Sequence, residues 1–222
     1  MFTTLVAVIA ALVLGHLAPA PMAALRDWRW FGRWLGWLQV HEGGSNAGRF
    51  GLLLAIAPCV LLAAAVQWLL AGHLHGLPSL LFGMAVLALC WGPRDLDRDV
   101  EAVIDAEDAA AHDAAVAQLQ SAGGSLREDV PTLVDATLYN ALRRWFAPLF
   151  WFLLLGPLGA VLYRLLVQSV HGPIAAGVAA EARGTGAWAL ALLEWPVAQL
   201  MTLSMALVGN FDTVFSAWRR AG

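Results

Sequence analysis

Glu194 is an acidic residue inside a long apolar run, at 187–208 of the 222-residue chain. A carboxylate that faces lipid is costly, so we expect Glu194 to face protein or to lie near an interface. Three roles fit the pattern: a relay in a small transporter, an ion pair with an arginine, or an interfacial position near the start of the helix. The sequence leaves all three open.

A second set of candidate groups lies earlier, where eight acidic residues occur between Asp95 and Asp113. These carboxylates could bind a divalent cation or act as acid and base. The solvated face of a polar helix explains them equally well, and no EF-hand loop is present. The sequence predicts no cofactor and no metal. Cys59 and Cys90 both lie in apolar runs, which argues against a disulfide framework or a zinc site.

The elements that must position these groups are apolar helices. The chain is 60% hydrophobic and 13% charged, and its apolar runs are separated along the sequence. This composition predicts an all-α, polytopic membrane protein with about four or five transmembrane helices. An uncharged stretch over 145–163 is long enough, at about 1.5 Å per residue, to cross nearly the whole hydrocarbon layer.

Three regions follow from these runs. Residues 1–91 form an N-terminal membrane half, with spans near 3–20, 50–70 and 79–91 and an interfacial helix at 22–40. Residues 92–144 form a small cytoplasmic, acidic helical segment. Residues 145–222 form a C-terminal membrane half, with spans near 145–163 and 187–208 and a short basic tail.

The predicted interfacial helix interleaves arginine and tryptophan. Its amphipathic spacing favours a helix on the bilayer surface, with arginine toward headgroups and tryptophan in the interface. Because spans flank it, nucleic-acid binding is disfavoured. The lipid-interface residues predicted in this way are Arg26, Trp28, Arg29, Trp30, Arg33, Trp34 and Trp37.

The distribution of arginine predicts the orientation. If 22–49, 92–144 and the C-terminal tail are cytoplasmic, most arginines lie inside and only Arg164 and Arg183 lie outside, as the positive-inside rule favours. The loop at 168–186 would then lie on the opposite face from 22–49. The predicted location is the bacterial inner membrane, in a multi-pass arrangement.

Two stretches resemble a known family. NALRRWFAPLFWFLLLGPLGAVLYR at 140–164 and LLEWPVAQLMTLSMALVG at 192–209 are similar to the AmpE/CobD-like integral membrane family. One branch, CobD/CbiB, contains cobalamin-pathway synthases that attach an aminopropanol-type arm to the corrin. The other, AmpE, is an inner-membrane protein tied to β-lactamase induction and cell-wall recycling signals. The family-motif candidates are Asn140, Pro148, Phe150, Trp151, Gly156, Glu194 and Trp195.

Departures from the synthase pattern indicate the branch. That pattern resembles A-E-N-T-x-D-G followed by A-P-L-F-W; here Asn140 and 147–151 match, but Tyr139 replaces the acid and Arg143-Arg144 replace Asp-Gly. Polar site positions are thus apolar or basic. The resemblance therefore implies a non-enzymatic, AmpE-like modulator of β-lactamase induction, relevant to antibiotic resistance, or of cell-envelope and peptidoglycan-recycling signalling.

The alternative is a divergent CobD/CbiB-like amide-forming synthase acting on a corrinoid or another amine substrate. Its candidate residues would be Asn140, Glu194 and the acids of 95–113. The expected partners are the lipid bilayer and other membrane or cytoplasmic envelope-signalling proteins, with no nucleic acid. Gly156, Gly159 and Ala160 permit close helix contacts, which is compatible with a homo-oligomer.

Overall fold

The computed structural model describes residues 8, 28–41, 51–70, 77–90, 96–106, 108–120, 130–172 and 174–208. Within these ranges every regular element is helical, which confirms the all-α prediction for that part of the chain. The predicted span at 3–20, apart from Val8, and the basic tail lie outside the described residues.

The α-helices are α1 Arg29–His41, α2 Gly51–Leu70, α3 Leu77–Cys90, α4 Leu96–Ile104, α5 Ala109–Gln120, α6 Val130–Ala141, α7 Ala147–Leu155, α8 Pro157–Val170 and α9 Ala180–Val208. A π-helical segment, Leu142–Phe146, joins α6 to α7 without interruption, and a 3-10 turn, Ala175–Gly177, precedes α9.

Helix α8 lies at the centre of the bundle, packed on α2, α3, α7 and α9. Every residue from 163 to 169 is buried. A helix that is buried on all sides needs neighbours on all sides, and the surrounding apolar helices provide them. This central position also buries Arg164, which the sequence suggested as the outer end of a span.

The stretch 145–163, predicted as one span, is instead two helices separated at Gly156. Gly156 has φ +72° and ψ −156°, a conformation that is accessible almost only to glycine. A Cβ at Gly159 would overlap the carbonyl oxygen of Trp151, although eight residues of straight helix would separate them by about 12 Å. The chain therefore folds back at Gly156, and α7 and α8 form a helical hairpin.

Gln67 of α2 holds the turn of this hairpin. Its Nε2 donates to the carbonyl of Leu155 at 3.3 Å, and its Oε1 accepts from the backbone N–H of Leu158 at 3.2 Å. A break between two helices leaves backbone groups without helical partners. One amide side chain supplies both a donor and an acceptor to this turn.

The hairpin changes the predicted sidedness of the following loop. Gly32 of α1 lies against Ile174, and Leu52 at the start of α2 packs on Gly186 of α9. The connection from α8 to α9 therefore lies at the same end of the bundle as α1. The predicted placement on the opposite face from 22–49 is corrected by these contacts, because the reversal at Gly156 returns the chain to its starting end.

The predicted acidic segment, 92–144, contains the separate helices α4, α5 and α6. Asp108 accepts a hydrogen bond from the backbone N–H of Ala111 at 2.6 Å and caps the start of α5. Val100 and Val103 of α4 pack near Ala136 of α6. Ile104, the last residue of α4, is 74% exposed.

Two of the described helices are long and apolar enough to cross a membrane: 51–70, with mean hydropathy 2.3, and 180–207, with mean hydropathy 1.4. Helices α3 and α8 are apolar but shorter. The sequence predicted spans near 50–70, 79–91 and 187–208, and α2, α3 and α9 occupy those positions.

Candidate functional site

Glu194 lies inside the bundle with both carboxylate oxygens occupied. Oε1 accepts from Arg143 Nε at 2.7 Å and from the Tyr163 hydroxyl at 3.2 Å. Oε2 accepts from Arg143 Nη2 at 3.3 Å. Of the roles considered for Glu194, the structure shows the ion pair with an arginine.

Three elements converge to build this site: the π-helical segment carries Arg143, α8 carries Tyr163 and α9 carries Glu194. In a straight helix, Arg143 and Tyr163 would be about 30 Å apart. The hairpin at Gly156 brings them to one carboxylate. The π-helical turn also changes the direction of the side chains that follow it, a device often found at functional sites.

The ion pair is largely shielded from solvent. The side chains of Arg143 and Glu194 are each 11% exposed, and Tyr163 is fully buried. Arg143 also lies over the ring of Tyr139, with 4.8 Å from Cζ to the centroid, which adds a cation–π contact. Burying both charges has a desolvation cost that the bidentate geometry and the tyrosine hydroxyl offset.

The charges of Arg143 and Glu194 act on His171, which lies just beyond the end of α8. Partial burial lowers the pKa of its imidazole, the Arg143 guanidinium lowers it further, and Glu194 opposes them. The neutral imidazole is therefore favoured more than in an isolated histidine. The open end of the hairpin therefore carries a histidine near the ion pair, and the neutral form of this histidine is favoured.

The comparison with family models connects this geometry to known proteins. The model described as CobD/Cbib protein matches residues 5–221, nearly the whole chain. The chain belongs to the CobD/CbiB family. Comparisons with curated proteins and with solved structures found no match.

The ion pair involves a position at which this chain differs from the CobD/CbiB synthase pattern. Arg143 stands where the resemblance places the Asp of the Asp-Gly pair, and it binds Glu194 of the late helix. An aspartate there would face another carboxylate. In this chain of the CobD/CbiB family, Arg143 and Glu194 form an ion pair at that position.

The other predicted motif residues surround the hairpin. Trp151 donates from Nε1 to the carbonyl of Leu193, at 3.1 Å, beside Glu194, and its ring meets Phe150 edge-on. Pro148 is buried near the start of α7. Asn140 is also buried, and its Nδ2 donates to the carbonyl of Ala136 in its own helix at 2.9 Å.

Trp195 is placed differently from its neighbour Glu194. It is 67% exposed on α9, so it points away from the ion pair. Of the predicted set, the structure therefore brings Trp151 to the Glu194 region, uses Gly156 for the turn, and leaves Trp195 on the outer surface of the helix.

The predicted interfacial residues lie mainly on α1, except that Arg26 is outside the described residues. Trp28 precedes α1 and is half-buried, whereas Trp30 and Arg33 are exposed. Trp34 donates from Nε1 to the carbonyl of Ala55 in α2 at 3.1 Å, and its ring stacks on that of Trp37. The described residues of this set are Trp28, Arg29, Trp30, Arg33, Trp34 and Trp37.

Sequence reasoning missed three parts of the site: Tyr163, the pairing role of Arg143, and Gln67. The polar residues inside apolar runs were the available signal for Tyr163 and Gln67, since such groups need partners in a membrane helix. Arg143 was visible only as a flanking charge, because nothing local showed that the chain would return to it.

Four acidic residues of the 95–113 segment lie on the surface. Glu101, Asp105, Asp108 and Asp113 are all exposed. Across the described part of the chain, no three His, Cys, Asp or Glu side chains come together in an arrangement that could hold a metal ion. The solvated-face interpretation fits the exposure of these four carboxylates.

Proposed function

We propose that this chain is a multi-pass protein of the bacterial inner membrane, in the AmpE branch of the family. It acts without catalysis as a modulator of β-lactamase induction or of cell-envelope and peptidoglycan-recycling signalling. The observation that carries the proposal is the neutralised carboxylate of Glu194, held by Arg143 and Tyr163.

Membrane insertion is supported by the outward-facing apolar side chains of the long helices. In α2, Leu61 and Leu62 are 66% and 67% exposed, and in α9 Leu207 is 75% exposed. In water this surface would favour aggregation, whereas hydrocarbon would cover it at no cost. Membership of the CobD/CbiB family supports the same location.

Within this membrane arrangement, the turn of the α7–α8 hairpin lies deep in the bilayer, toward the end of α2 that carries Gln67. Helix α8 has 14 residues, or about 21 Å, which is short of the roughly 30 Å hydrocarbon layer. A non-helical turn at membrane depth is tolerated where protein groups satisfy its backbone, and Gln67 supplies them. The hairpin would enter from and return to the side that holds α1.

The non-enzymatic role is supported by what the site has available for chemistry. A synthase must hold a charged substrate and assist acyl transfer with free acids or bases. Both oxygens of Glu194 are already bonded, and an arginine stands where the synthase pattern has an acid. The polar groups that could serve catalysis are instead bonded to each other.

Two assays test the proposal. In a strain lacking the gene, β-lactamase activity after treatment with a sub-inhibitory β-lactam should differ from the parent, and expression of the chain should restore the parental response. The purified chain, given ATP, an aminopropanol-type amine and a corrinoid acid, should form no amide, while a family synthase tested in parallel should. An unchanged induction response would contradict the signalling role.

A divergent synthase is the second candidate, favoured by the family match over nearly the whole chain. It predicts that this chain rescues growth of a cobalamin-pathway synthase knockout, and that Glu194→Gln abolishes the rescue. Rescue by the chain would overturn the non-enzymatic proposal, whatever the result of the induction assay.

A further inference from the structure

A groove of about 600 Å³ lies between α1 and α2, away from the Glu194 ion pair. Both helices contribute to its walls, α1 with aromatic and basic side chains and α2 with small and apolar ones. The residues that line it are Trp30, Arg33, Trp34, Trp37, Pro58, Cys59 and Leu62.

The aromatic wall of the groove is held in place. The hydrogen bond from Trp34 Nε1 to the Ala55 carbonyl fixes the indole on α2. Trp37 stacks on Trp34 with ring centroids 5.4 Å apart and an angle of 19° between the rings. Since indole contributes a broad apolar face with little rotamer freedom, this wall is prepared for an apolar ligand before one arrives.

Arg33 is the charged residue among the lining side chains, and it is exposed. Among the described residues, no carboxylate lies within ion-pair distance of its guanidinium. A guanidinium presents several donors in one plane and suits a phosphate oxygen pair. The groove therefore combines an apolar wall with the exposed guanidinium of Arg33, which is accessible to an anion.

The α2 side continues the groove as an exposed apolar surface. Leu54 and Leu62 are 64% and 67% exposed, and Pro58 between them is also exposed. A ligand that reaches from Arg33 along this surface needs a negative head and a long apolar chain. The predicted amphipathic position of α1 at the bilayer surface is where such molecules are concentrated.

We propose that this groove binds one anionic phospholipid of the surrounding bilayer. Its phosphate lies at Arg33, and an acyl chain lies between the Trp34–Trp37 stack and the Pro58–Leu62 surface. The inference rests on the membrane location given under Proposed function, but not on the modulator role. Because a zwitterionic lipid offers the same chains without net negative charge, the headgroup decides the preference.

Cys59 provides a natural reporter for this site. Its thiol lines the groove and is partly accessible, whereas Cys90 is fully buried in α3. The full chain is placed in nanodiscs of phosphatidylcholine, or of phosphatidylcholine with one-third phosphatidylglycerol, and the rate of labelling by a membrane-permeant maleimide is measured. Cys59→Ser gives the background from Cys90.

Labelling should be about fivefold slower in the anionic nanodiscs, the effect expected for one basic residue at an anionic surface. Arg33→Gln, which keeps the length of the side chain without its charge, should remove the difference. Arg33→Lys is the matched control and should keep most of it. Because Arg33 is exposed, these variants should keep the elution profile of the parent protein.

Other outcomes overturn the proposal. Equal labelling in both lipids would mean that the headgroup is not recognised, and equal protection in the parent and in Arg33→Gln would place the effect elsewhere. Slower labelling on adding inorganic phosphate to phosphatidylcholine nanodiscs would identify a site for soluble anions. Each result is independent of the β-lactamase assay, so the two proposals fail separately.

Discussion

The bond between Arg143 and Glu194 puts opposite charges inside a bundle of apolar helices. Neither is well hydrated, since each side chain is 11% exposed. Removing one partner leaves the other buried and uncompensated, which typically costs about 3–5 kcal/mol. We therefore expect Arg143→Ala to lower the free energy of unfolding in detergent by about that amount, measured from denaturation curves.

The double variant Arg143→Leu/Glu194→Leu should be less destabilised than Arg143→Ala, because it buries no lone charge. Glu181→Gln, at an exposed acid on the same helix, serves as the control and should change stability by well under 1 kcal/mol. If Arg143→Ala behaves like Glu181→Gln, the pair does not hold the bundle together.

At this scale the sequence predicted part of the site. The cost of a carboxylate in hydrocarbon was enough to place Glu194 toward protein, and an arginine partner was among the expected solutions. The identity of that arginine was not accessible, because Arg143 is 51 residues away and reaches Glu194 only after the chain has reversed.

The α7–α8 hairpin depends on one backbone conformation. Gly156 has φ +72°, and a Cβ there would also lie 2.9 Å from Gln67 Nε2. Backbone strain of this kind costs about 1–3 kcal/mol for a residue other than glycine. Gly156→Ala should therefore lower the unfolding midpoint in detergent, as followed by circular dichroism.

Gly184→Ala is the matched comparison. Gly184 lies in α9 with nothing within 4 Å of an added Cβ, so alanine there should be neutral or slightly stabilising. If Gly156→Ala and Gly184→Ala change the unfolding midpoint equally, the turn does not require glycine at position 156. Gln67→Leu, which removes both of its bonds to the turn, should destabilise in the same direction as Gly156→Ala.

The position of this hairpin illustrates the limit of hydropathy at the scale of elements. The uncharged length of 145–163 satisfies the requirement for a spanning helix, and glycine and proline occur in such helices. The small residues at 156, 159 and 160 predicted close helix contacts, but they did not predict a reversal. The reversal depends on Gln67, which lies about 90 residues earlier and satisfies the broken backbone.

For the whole molecule, the hairpin determines which loops share a face. Gly32 lies against Ile174, and Leu52 against Gly186, so α1 and the connection before α9 occupy one end of the bundle. Helix α2 leads away from that end and stops at Leu70, and α3 begins at Leu77. A single helix over 145–163 would instead place this connection on the opposite side from α1.

Cysteine variants in a Cys59→Ser background, where the remaining Cys90 is fully buried, separate these two arrangements. Gly36 and Gly177 are exposed with open space around an added Cβ, so Gly36→Cys and Gly177→Cys should fold normally. In inverted and right-side-out vesicles, a membrane-impermeant maleimide should label both from the same side and label Leu77→Cys from the other. Labelling of Gly177→Cys together with Leu77→Cys would mean that the chain crosses at 145–163. The Arg143–Glu194 ion pair and the hydrogen bond from Tyr163 to Glu194 could not then form together, because they require both arms of the hairpin to return to one end.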